Sequence, residues 1–242
     1  MTLTDQHEDA DRLPTLDALG RRRVLVIAVA VIVVLAVGAA IGMLITTART
    51  GAGPGGSAAP DAESIDVGFS QDMRVHHFQA ITMAGIARDK TTDPEVHSIA
   101  FDIESTQLAQ AGAMAGWLNV WGQAELPAAG KGYMAWMAGS GHQHSGAVLE
   151  SGGVSTMPGM ATTEELNKLK TLSGKELDIY FLQLMLRHHQ GALPMAQYAA
   201  SHAGVGYVRN LAAKMVASQS NEAGLMTKML AARGAVPLPA PN

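Results

Sequence analysis

The chain contains no cysteine. That absence excludes disulfides, thiolate metal sites, cysteine nucleophiles and a lipid-modified cysteine anchor. Aromatic residues are scarce at 5%, too few for a stacking platform. Charged residues are also few, at 16%, and 21 acidic against 17 basic side chains give a formal net charge of −4. A nucleic-acid binder would carry the opposite bias. No Glu-x-x-His occurs, which removes the ligand pattern of a carboxylate-bridged di-iron bundle. No Gly-x-Ser-x-Gly or His-Glu-x-x-His is present either, and the chain is expected not to be an enzyme. Methionine and histidine are plentiful instead, with 14 Met and 9 His in 242 residues. Any transition metal held here must therefore sit on imidazole nitrogens, thioether sulfurs or oxygens.

Residues 24–45 carry no charge over 22 positions, which as a helix would span about 33 Å against a bilayer core of about 30 Å. Arg21, Arg22 and Arg23 precede the run and only Arg49 follows closely. The positive-inside rule then places 1–23 as a cytoplasmic tail, 24–45 as a single-pass membrane anchor and the remainder outside the cytoplasm. Residues 46–63, rich in Gly, Ala, Pro and Ser, read as a flexible linker. Residues 234–242, with three prolines, read as a disordered tail.

Between them lies an internal repeat. Phe69-Ser-Gln-Asp-Met73-Arg-Val-His76-His77 recurs as Phe181-Leu-Gln-Leu-Met185-Leu-Arg-His188-His189, at a constant offset of 112 residues. Over 50 ungapped positions 16 are identical, where average residue usage would give about 3 or 4. Apolar residues in each copy step by three and four, as on one helical face. Asp93-Pro94-Glu95 and Ser173-Gly-Lys-Glu176 read as helix starts, the second as a capping box. The expected fold is all-α: a four-helix bundle over 64–233, built from hairpins 64–121 and 173–233. A crossover loop at 122–172 contains a short helix starting at Thr162. Pro194 is expected to kink the third long helix.

Met73, His76 and Met83 share one helical stripe, repeated by Met185, His188 and Met195. Thioether with imidazole suits copper(I), and by the same softness silver(I). The competing reading makes the methionines core filler and one histidine of each pair a satisfied core residue, since neighbours on a helix diverge by about 100°. Gln107 and Gln219 hold matching positions, and each is expected to take a histidine N–H from the neighbouring helix. The crossover's His142 and His144, near Met134, Met137, Met157 and Met160, resemble a metal-gathering segment.

The doubled pattern Met73-x-x-His76-His77-x-x-Ala80-x-x-Met83-Ala84 and Met185-x-x-His188-His189-x-Gly191-Ala192-x-x-Met195-Ala196, with Gln219-x-x-Glu222 downstream, resembles the signature of the domain of unknown function 305 family. Met157-Pro-Gly-Met160 looks like its middle segment. The resemblance implies a ferritin-like four-helix fold, exported or membrane-anchored. Since some members bind copper and silver, it also makes His76, His77, Met73, Met83, His188, His189, Met185 and Met195 candidate ligands, with His142 and His144 as second choice. Where that family tends to show Glu in the first copy, this chain has Gln110, matched in the second by Glu222. The expected function is copper(I) or silver(I) sequestration or delivery at the cell membrane, with a metal ion and the bilayer as partners and no organic cofactor or nucleic acid. The alternative is a structural or interaction module of a membrane-associated complex, its His/Met stripes being core packing.

Overall fold

The computed structural model describes residues 59–137 and 152–241. The apolar run at 24–45, most of the linker, and both His142 and His144 lie outside the described residues. Among these, five α-helices form: α1 (Ile65–Lys90), α2 (Pro94–Val120), α3 (Thr163–Thr171), α4 (Gly174–His202) and α5 (Gly206–Ala232), with one 3-10 turn at Ala135–Met137. A lone antiparallel bridge joins Tyr133 and Val154. No described helix is long and apolar enough to cross a membrane.

Side chains set the helix starts. The Ser64 hydroxyl accepts from Val67 N, and Asp93 Oδ1 accepts from Glu95 N at 2.9 Å and Val96 N at 3.3 Å, with Pro94 directly behind it. Thr162 and Glu165 form a reciprocal capping box on α3. The box expected at Ser173 does not form. Gly174 there has a left-handed φ of +53°, outside the helical geometry that a box needs just after its cap. The start of α5 is held from another helix: Asp66 of α1 accepts from Gly204 N at 2.9 Å and Val205 N at 2.8 Å. Helix α4 runs unbroken through Pro194, which leaves the Gln190 carbonyl without its usual i+4 donor.

The two hairpins, α1/α2 and α4/α5, meet along α1 and α4. Long side chains bridge α2 to α5 at both ends. Trp121 Nε1 donates to the Tyr207 hydroxyl at 3.1 Å, and Arg233 pairs with Asp93 and Glu95. The core divides in two. One cluster gathers Met83, Ile103, Phe181, Met185 and Met226. The other gathers Phe69, Met73, Met114, Met195 and Met215 with Met134, Met137 and Met157 of the crossover. Past α5 the chain stays on the body: Gln183 donates to the Val236 carbonyl at 2.7 Å, and Ala235 and Leu238 pack against the first cluster. Within the tail expected at 234–242, the apolar side chains of Ala235 and Leu238 thus find core to cover.

The crossover is pinned twice. Buried Asp72 accepts from Met134 N at 2.7 Å and Trp136 Nε1 at 2.8 Å, while its burial raises its pKa to about 6. Residues 157–161 form a strap over the α1–α4 seam. The Gln79 amide donates to the Ala161 carbonyl at 2.9 Å and accepts from Ala161 N at 2.6 Å. Gly191 of α4 permits the close approach, because a Cβ there would come within 2.1 Å of the Pro158 oxygen, a backbone atom unable to swing aside. Gly191→Ala should therefore lift the strap and cost about 1–3 kcal/mol, as overpacking does. Urea denaturation reads this directly, and an unchanged midpoint would mean that the strap contributes nothing to the fold.

Candidate metal centre

Successive residues on a helix diverge by about 100°, so each His-His pair addresses two neighbours at once. His76 and His188 face the seam between the hairpins, their ring centroids 3.8 Å apart. His77 and His189 face their own hairpin partners: His77 Nε2 lies 2.7 Å from Gln110 Oε1 of α2, and His189 Nε2 lies 2.6 Å from Glu222 Oε2 of α5. All four rings are buried, none more than 1% exposed. Both rings of each pair are buried, because a helix flanked on two sides has two inward directions.

Gln107 and Gln219 are not the histidine partners. That role falls one turn further along, to Gln110 and Glu222. Gln107 is buried with both amide atoms unpartnered, and Gln219 Oε1 is also unpartnered. The sequence did flag position 110 as different in kind from 222, and this is the difference that the geometry uses.

The hydrogen bonds fix the tautomers. His76 Nε2 reaches the Pro158 carbonyl of the strap at 3.2 Å, and His188 Nε2 reaches the backbone carbonyl of His76 at 3.1 Å. With Gln110 Oε1 and Glu222 Oε2, all four partners are acceptors, so every Nε2 carries the proton and donates. Every Nδ1 is then a bare lone pair. All four Nδ1 atoms are buried without a hydrogen-bond partner. Of the ten such side-chain atoms among the described residues, seven belong to these histidines, Gln107 and Gln219. The unused polar capacity is therefore concentrated at one level of the bundle.

Met73 and Met195 lie in the second core cluster and Met83 and Met185 in the first, all fully buried. The histidine level thus has candidate thioethers in both apolar clusters, one from each hairpin in each. Among the described residues no three His, Asp or Glu side chains group so as to hold a metal ion. Thioether sulfur beside neutral imidazole is a ligand set suited to a soft cation.

The chain belongs to the DUF305 family. Its model, a domain of unknown function, matches residues 66–230. A DUF305 protein of Streptomyces coelicolor is similar at 41% identity and a TM-score of 0.65, covering 74% of this chain and 99% of that one. A DUF305 fragment from Deinococcus radiodurans is 30% identical with a TM-score of 0.55, covering 69% and 96%. CopM in its Cu(I)-bound form shares the fold at 24% identity and a TM-score of 0.51, covering 69% and 96%. No curated protein matches.

Burial, foremost, lowers the pKa of His76 to about 3 and of His77 to about 4, and it drives His188 well below its ordinary value, with neighbouring imidazoles adding to each. The unfolded chain takes up these protons near pH 6.5, so between there and the folded values it binds more protons than the fold. Their contribution is intact above about pH 6.5 and is lost as the pH falls, at up to about 1.4 kcal/mol per pH unit for each ring. The urea midpoint of the metal-free protein should drop between pH 7 and pH 5, before most carboxylates titrate. A level midpoint across that interval would contradict neutral, buried imidazoles.

Proposed function

We propose that this protein is a non-catalytic copper(I)- and silver(I)-binding protein, tethered to the membrane by residues 24–45, whose extracytoplasmic ferritin-like bundle sequesters or delivers the ion. The observation that carries the reading is the set of four buried Nδ1 lone pairs with no partner. An unsatisfied buried polar group costs about 1–3 kcal/mol, and a fold that only needed packing would have used apolar residues there. Soft cations, each held by imidazole together with thioether sulfur, would satisfy these atoms. Neutral imidazoles are already in the ligating form, so no proton need leave at neutral pH. Supporting it from outside, the solved structures of CopM include Cu(I)-, Ag- and Cu(II)-bound forms. The ligands we assign are His76, His77, His188 and His189 through Nδ1, with Met73, Met83, Met185 and Met195 supplying sulfur. His142 and His144 are second-choice ligands.

One observation favours the alternative, a structural or interaction module. Each of those methionines is fully enclosed in an apolar cluster, as packing alone would require.

Heat denaturation of the full chain in detergent separates the two. Binding at a hundredfold excess over Kd adds about 2.7 kcal/mol, which for a domain of this size raises Tm by roughly 5–10 °C. Stoichiometric Cu(I) under a competing chelator should produce that rise. A Tm indifferent to Cu(I), together with no binding tighter than about micromolar in titration, would leave packing as the explanation.

A further inference from the structure

The two halves of the histidine level differ in charge at a single acceptor. His77 and His189 occupy matching positions of the repeat, and their Nε2 atoms sit at nearly equal distances from their acceptors, 2.7 Å and 2.6 Å. In the first half the acceptor is the neutral amide of Gln110. In the second it is the carboxylate of Glu222, whose side chain keeps 22% exposure to water while the ring it holds keeps none. The remaining two histidines donate to backbone carbonyls. Glu222 is therefore the one anionic acceptor among the four.

A cation entering this level loses its hydration, and an uncompensated charge in such surroundings is strongly disfavoured. Imidazole and thioether ligands are neutral and cannot compensate it. Resting on the metal-binding reading above, we infer that Glu222 sets both the charge and the order of filling. One monovalent ion is taken first in the His189 half, where ion and carboxylate sum to zero, and the Gln110 half fills later and more weakly. Glu222 acts through His189 as a positioning residue: a carboxylate accepting from Nε2–H makes Nδ1 a stronger donor to metal, and loss of such a partner lowers affinity about 10–100-fold. A divalent ion in the same half would leave one buried positive charge unmatched, so the site favours monovalent soft ions for electrostatic as well as ligand-type reasons.

Silver(I), which is redox-inert, is the probe. The full-length protein in detergent is titrated with Ag(I) against a competing ligand, while 15N shifts of the His77 and His189 Nδ1 atoms report where the ion goes. In the wild type the first equivalent should move His189. Glu222→Gln should weaken that equivalent about 10–100-fold without unfolding the chain, since Gln110 already shows that an amide serves the same ring position. The exchange variant Gln110→Glu/Glu222→Gln should restore the affinity and move His77 first. An unaltered first equivalent in Glu222→Gln, or an exchange variant that still fills His189 first, overturns the inference while leaving metal binding standing. A wild type that takes up no Ag(I) overturns both.

Discussion

Everything else in this domain is arranged around four imidazoles that cannot reach water. Each ring is tied by its Nε2–H to an acceptor on a different piece of structure: the strap, α1 itself, α2 and α5. The backbone distance between α1 and α4, the depth at which the strap lies, and the rotation of each outer helix all have to agree before those four bonds form together. The layer separates the two apolar clusters. Its four orphaned Nδ1 atoms, at about 1–3 kcal/mol each, represent a cost comparable to the whole net stability of an ordinary domain, about 5–15 kcal/mol. A cost of that size, kept at one level, is the observation on which the proposed metal site rests.

The duplication supplies the pairs but not their surroundings. The strap passes over the seam on one face only, clamped by Gln79 on α1 and admitted by Gly191 at the matching place on α4. As a result His76 donates to the strap, whereas its counterpart His188 donates to the α1 backbone. The two hairpins are alike in sequence and different in what encloses them.

Much of this was legible in the residues. The offset of 112 gave two hairpins, Asp93-Pro94-Glu95 gave the start of α2, and Thr162 gave the short α3, because caps and periodicity are local physics. The inward stripe was legible for the same reason. What escaped was non-local. Nothing in the sequence says that Asp66 will cap a helix 138 positions away, or that Asp72 will seize Trp136. Gln107 repeats as Gln219, yet the ring of His77 reaches one turn further on, to Gln110. Identity between copies marked a position that is preserved in kind. The position that divides the copies, 110 against 222, is the one in contact with histidine.

That contrast bears on how a metal level built by duplication can become selective. Two identical halves would offer identical wells, and a second cation would enter the same buried level as the first. Like charges in a medium with little water repel strongly. Under the proposed metal binding, neutralising one half alone lowers one well and leaves the other high, which gives a single ion a defined place. The amide at 110 matters in this sense as much as the carboxylate at 222. It gives the His77 Nε2–H an acceptor as Glu222 does for His189, while under the proposed metal binding it withholds the charge that would make the first half compete.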